Sequence, residues 1–281
     1  MRTLRNCNNA NLNTGVSKCQ PDFGKMKGAI IVEHGTKLPA DLTADALEKL
    51  AHADRPSRIY GVFTFCEYAK NGGEVQTAAN GYGGEEVTGI SARKDTYTLD
   101  KFYPELHASF TKSANAKFDV YFVDENNILY GMRDDSDTLA GFPMSTVYTD
   151  ATPHPTSSAA ATMNITFAHS DAKKSFIGFD YVELGFDVFN LTLGLVAVCL
   201  AKSGAGTSYK LYEKVGGYDV TPIYGPLIVE AGADVLSGTT SAATYDSATK
   251  SLTITATDGT VPHLKAPKVL YEKDIKGIEE V

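Results

Sequence analysis

The sequence predicts a mainly β protein: β-sheets of sandwich or barrel-forming type with one flanking α-helix, followed by a small C-terminal β-sandwich module. Three observations carry this. Short runs rich in aromatic and β-branched residues recur along the chain, separated by Gly, Asn, Asp and Ser. Between Gly81 and Gly204 one stretch has a convincing helical period, with Leu99, Phe102, Tyr103, Leu106 and Phe110 at three- and four-residue steps. After Ser203-Gly204-Ala205-Gly206 the composition shifts to short strands at close spacing, the rhythm of a small sandwich.

Residues 1–27 are polar and Asn-rich and read as a flexible N-terminal arm. They lack the apolar centre of a signal peptide, so the chain is expected to be intracellular at synthesis. Residues 28–202 form the main β domain, opening with a strand at 28–33. A short helix at 42–50 is capped by Asp41 or Thr43, and a strand covers 58–65. Residues 71–86 (NGGEVQTAANGYGGEE) read as a long Gly-rich polar loop, a length that marks function or disorder. The helix is placed at 100–112, capped by Thr98 or Asp100, with Pro104 in its first turn and a stop at Ser113-Ala114-Asn115. A hairpin follows: Phe118 to Val123, a turn through Asp124-Glu125-Asn126-Asn127, and a return from Ile128. After an acidic turn at 133–137, strands at 139–148 and 162–169 flank a Pro/Ser/Thr/Ala linker, and a further strand covers 194–202. The module at 203–281 is read as strands at 208–213, 227–230, 242–245, 251–257 and 269–272. The letters LYEK occur at 211–214 and again at 270–273, too short a match for a repeat.

At 281 residues the chain can bury a sizeable core without staples. Its formal charge of −8 argues against a nucleic-acid binder, which needs a basic footprint. Cys7, Cys19, Cys66 and Cys199 form no CxxC pair; Cys7 could pair with Cys19, but free thiols are the simpler reading. The most apolar run, 188–201, is too short to span a bilayer, so no membrane partner is expected. In an intracellular chain the sequons at Asn164 and Asn190 carry no meaning.

Chemistry is sparsely signalled. The Gly-rich loop lacks the Gly-Lys-Ser/Thr ending of a phosphate cradle. Asp134, Asp135 and Asp137 could at most form a weak calcium site, since the twelve-residue calcium pattern with its distal Glu is missing. The six histidines have no zinc-ligand spacing, and no Gly-x-Ser-x-Gly elbow occurs. A Ser/His/Asp triad meets only in space and is not legible here. Glu85-Glu86 or Asp119/Asp124 could be posed as paired carboxylates for glycoside cleavage, but the chain has no Trp to offer a sugar platform. The expectation is a non-enzymatic protein without cofactor or metal. Its candidate site is a subunit-contact loop carrying Asn71, Gly72, Gly73, Gln76, Asn80, Tyr82, Gly83, Gly84, Glu85 and Glu86.

The order of these elements resembles the tail-tube subunits of long-tailed bacteriophages and, more distantly, the tube proteins of contractile injection machines. The matching features are the strand at 58–65, the loop at 71–86, the strand into helix at 95–112, the hairpin FDVYFVDENNILYG at 118–131, and Leu139-Ala140-Gly141-Phe142 with its next strand. Coverage is roughly residues 25–200. The resemblance implies a virion protein made in the host cytoplasm that self-assembles into rings, usually hexameric, stacked into a tube. The long loop would touch the next ring, other virion proteins would be partners, and DNA would pass an acidic lumen without specific binding. The C-terminal module would resemble an immunoglobulin-like decoration. A head–tail connector, a capsid-associated protein, and a surface adhesin or glycan-binding protein are the other readings.

Overall fold

The computed structural model describes residues 23–133, 138–158, 160–204 and 206–281. The expectations for residues 1–22, for a Cys7–Cys19 pair and for calcium at Asp134, Asp135 and Asp137 lie outside the described residues. The protein is mainly β, with 40 % of residues in strands and 17 % in helices. It divides into two compact units, residues up to 47 with 59–192, and residues 48–58 with 193–281.

The first unit contains β1 (Met26–Glu33), the start of α1 (Ala44–Ala51), β2 (Ile59–Phe63), β3 (Phe65–Asn71), β4 (Val75–Asn80), β5 (Gly84–Ile90) and β6 (Lys94–Leu99). It continues through α2 (Pro104–Lys112), β7 (Phe118–Asp124), β8 (Ile128–Arg133), β9 (Leu139–Ala140), β10 (Phe142–Thr149), β11 (Asn164–His169), α3 (Ala172–Ile177) and β12 (Phe179–Glu183). Ten strands form one sheet, ordered β12-β8-β7-β10-β11-β6-β3, with β1 beside both β7 and β2, and β9 beside β8.

The spine is β7, whose FDVYFVD sequence is buried almost throughout. A strand buried on both faces is rich in apolar residues rather than alternating. One edge of β7 pairs with β1 along its length. The other edge is divided: Phe122 and Val123 face β8, while Asp119 and Val120 face β10. Gly141 sits where the sheet divides, and a Cβ there would lie 2.8 Å from the Val120 nitrogen. The core beneath is aromatic, with Phe65, Tyr97, Phe122, Phe167 and Tyr181 in one cluster.

Helix α2 covers that core with buried Phe110, helped by partly buried Phe102 and Leu106. It begins at Pro104 rather than at residue 100, and neither Thr98 nor Asp100 caps it. Proline disfavours helical backbone at the residue before it, so Tyr103 stays extended and the helix starts one residue later. The expected flexible arm also ends sooner than residue 27. Met26 and Lys27 belong to β1, and the Gly24 and Lys25 amides donate to the carboxylates of Asp124 and Glu125.

The second unit differs from the expected sandwich at 203–281. Its five-stranded sheet runs β16-β17-β14-β13-β19, built from β13 (Val196–Lys202), β14 (Ser208–Glu213), β16 (Thr244–Asp246), β17 (Ser251–Thr253) and β19 (Ile278–Glu280). A small ribbon pairs β15 (Leu236–Ser237) with β18 (His263–Leu264). The expected boundary at 203 would separate β13 from β14, which are antiparallel neighbours. Two expected strands are helices, α4 (Thr221–Ala231) and α5 (Pro267–Tyr271). Each has proline at its start, where the missing N–H costs nothing, and Gly232 with φ 75° ends α4. Residues 48–58 complete this unit. The buried Arg58 guanidinium donates to both Glu279 oxygens at 2.7 and 3.0 Å, and its Nε donates to the Ala53 carbonyl. His52 Nε2 accepts the Gly277 amide while Nδ1 donates to the Glu48 carbonyl, which fixes the ring as the Nδ1–H tautomer.

Candidate functional site: an exposed ribbon and the ionic network at its root

The segment expected as a loop at 71–86 is an ordered antiparallel hairpin. Asn71 ends β3, Gly72 and Gly73 turn the chain, Gln76 and Asn80 lie on β4, Tyr82 and Gly83 form the tip, and Gly84, Glu85 and Glu86 lie on β5. The glycines alone suggest a loop. Gly81 and Gly83 supply the tip turn that joins the two strands, and Gly72 and Gly73 the positive-φ bend that leads from β3 into β4.

Cross-strand partners project to the same side. Pairing Val75 with Ile90, Thr77 with Val87 and Ala79 with Glu85 therefore gives the ribbon one largely apolar face. Gln76 with Gly89, Ala78 with Glu86 and Asn80 with Gly84 make the polar face. The Asn80 amide donates to Glu86 at 3.0 Å on that side. Every residue of β4 is exposed, and Val75, Val87 and the tip residue Tyr82 are among the most exposed large side chains of the described chain. The ribbon is a two-stranded sheet of its own. Among the described residues, none covers its outer backbone groups or its apolar face.

The root is rigid by contrast. Gly72 has φ 76° and its absent Cβ would lie 1.9 Å from the Ala92 carbonyl oxygen, so no other residue fits. The Glu74 and Ser91 backbones are tied by the Ser91 amide donating to the Glu74 carbonyl. Gly73 rests against Arg93 and Phe176, and the Arg93 guanidinium lies 5.3 Å over the Phe176 ring.

Arg93 leads to a buried network centred on Asp95 of β6. Asp95 Oδ1 accepts from Tyr68 at 2.8 Å, while Oδ2 lies 2.9 Å from the Arg93 guanidinium and 2.7 Å from His169 Nε2. Burial pushes the Asp95 carboxyl up, but the His169 hydrogen bond and the Arg93 charge outweigh it and hold the group below its ordinary value. Tyr68 is pushed up to about 12, chiefly by burial and then by its bond to Asp95.

His169 Nδ1 lies 3.2 Å from the Ser175 hydroxyl, so serine, histidine and aspartate stand in the order of a nucleophile, a base and its orienting group. Ser175 is only 2 % exposed, and its one proton is directed to the Asp171 carbonyl at 2.9 Å. The cluster ties β3, β6, β11 and α3 together. No residue pattern marks it in the sequence. The available hint is Asp95 in the inward register of β6, where alternation calls for an apolar side chain.

No family model, curated protein or solved structure matches this chain. The remaining expectations are placed by geometry. Asp119 is buried, accepting from Gly35 and facing His34 Nδ1 at 2.8 Å, while Asp124 organises the opposite end of β7. These two carboxylates do not face one cleft. Glu85 and Glu86 point to opposite sides of the ribbon. Among the described residues no cluster of three or more His, Cys, Asp or Glu is placed to hold a metal, and no helix is long and apolar enough to cross a membrane. A pocket of about 340 Å³ opens beside α3 and is lined by Met132, Arg133, Asp171, Lys173, Lys174 and Ile177. Lys173-Lys174 carry no motif that marks them in the sequence.

Proposed function

We propose that this chain is a non-enzymatic structural subunit that self-assembles through the β4–β5 ribbon, in the form its sequence resemblance implies: rings stacked into a phage tail tube that DNA traverses without specific binding. The observation that carries the reading is the ribbon itself, ordered, amphipathic and uncovered among the described residues. A lone two-stranded ribbon is marginal in water, and an open edge beside an apolar face is a template for a second chain. The acidic balance of −8 is compatible with DNA passing without adhesion.

The test is size-exclusion chromatography with light scattering, followed by negative-stain imaging. The full chain is expected to form rings or tubes at micromolar concentration. Deleting Thr77 to Gly84 should leave the circular dichroism spectrum and melting temperature near wild type and leave the protein monomeric. A wild-type chain that stays monomeric at every concentration, or a deletion variant that polymerises normally, overturns the proposal.

A further inference from the structure

The ribbon needs an acceptor surface on its neighbour, and the first unit carries one that is complementary to it. We infer that the acidic tip of the ribbon of one copy docks at the basic pocket beside α3 of a second copy; this rests on the self-assembly reading above. Residues 74–90 contain Glu74, Glu85 and Glu86 and no Lys or Arg. The pocket beside α3 presents exposed Lys173 and Lys174 on its wall, together with Arg133. Arg133 is bound to Asp180 at 2.7 Å and Asp171 caps the Lys174 amide, so among the described residues the two lysines carry the wall's outward-facing charge.

The apolar parts match as well. Ile177 on the pocket wall is 59 % exposed and neighbouring Phe176 is 40 % exposed. Tyr82 at the tip and Val87 on the apolar face are the ribbon's counterparts. An aromatic anchor entering a pocket rimmed by opposite charge is the usual composition of an interface centre. The pocket's α3 wall adjoins the ribbon's root, because Gly73 lies against Phe176 of the same helix. The donor tip thus lies at the far end of the ribbon, and the acceptor pocket beside the helix that packs on its root. A contact of tip to root closes either as a reciprocal exchange between two copies or as a head-to-tail ring.

The experiment uses two full-length variants, E85K/E86K and K173E/K174E, with light scattering as the readout. Each alone should be monomeric where wild type assembles, because like charges then face each other. Mixed in equal amounts they should assemble, since each ribbon then meets a pocket of opposite sign. The quadruple variant should assemble alone. Wild-type assembly should weaken at least tenfold between 50 mM and 500 mM salt, as expected for a charge-steered contact. If wild type is monomeric, the assembly reading falls and this inference with it. If wild type assembles and both reversed variants assemble equally well, the assembly reading stands and this docking site is wrong. A Tyr82→Ala variant, remote from any buried group, separates loss of docking from loss of folding. It should weaken assembly without moving the melting temperature, and unchanged assembly counts against the site.

Discussion

Two hairpins of the first unit, similar in length, have opposite fates. In β7–β8 nearly every side chain is buried, and in β4–β5 nearly every one is exposed. Both turn through residues suited to positive φ, Asn127 in one and Gly81 and Gly83 in the other. What differs is the strand composition. FDVYFVD and ILYGMR bring large aromatic and branched side chains to both faces, so the sheet must be covered on both sides. VQTAAN and GEEVTGI bring small and polar groups, with enough apolar surface for one face only. Turn chemistry sets that a hairpin forms; strand composition sets whether it lies in the core or at the surface.

The sharpest way to break this comparison is to strip the cover from the buried hairpin's core. Phe110→Ala should cost about 3–5 kcal/mol, because the ring is buried in the aromatic cluster that holds Phe122 and Tyr130. Chemical denaturation monitored by tyrosine fluorescence measures it. The turn itself comes next. The Asp124 carboxylate accepts the Gly24, Asn126 and Ile128 amides and the Tyr130 hydroxyl, the last at 2.6 Å. Asp124→Ala should cost about 3 kcal/mol, since it leaves buried donors unpaired. Its loss should appear in the same denaturation assay with an unchanged slope.

A smaller effect is expected at the root of the exposed ribbon, and it depends on pH. The Asp95 carboxyl is held below its ordinary value, so its contribution is present above the usual carboxylate range and is lost as pH falls through and below it. Tyr68 has the opposite sense. Its raised value means stability is lost as pH rises from about 10, the ordinary tyrosine value, to about 12. Melting temperature followed across pH should show both limbs. Asp95→Asn should flatten the acid one and Tyr68→Phe the alkaline one. The smallest effect belongs to the ribbon face, where Val75→Ser with Val87→Ser should change monomer stability by under about 0.5 kcal/mol. The same pair should abolish assembly.

Much of the first unit was legible because its strands and α2 announce themselves by period. The buried hairpin at 118–131 could be read residue by residue. The exposed one could not, because Ala, Thr, Gln and Glu have weak strand preference and the glycines suggest loop. In the second unit the apolar Leu227-Ile228-Val229 run has no period of its own and fits a strand or a buried helix equally. Pro222 before it and Gly232 after it bracket a helix, while Pro226 directly ahead of the run argues against one. The Asp95–His169–Ser175 cluster joins residues far apart in sequence and was beyond pattern reading altogether.

The fork of Arg58 on Glu279 joins positions separated by 221 residues. During translation at about 5–20 residues per second, the segment carrying Arg58 emerges about 10–45 s before its carboxylate partner. The first unit's strands at 59–192 are all made in that interval, so they can condense early while residues 48–58 wait. Closure of so long a loop is slow, and it comes last. The second unit therefore closes only after the segment around Glu279 has been made, and Glu279→Ala should weaken that closure by removing the fork.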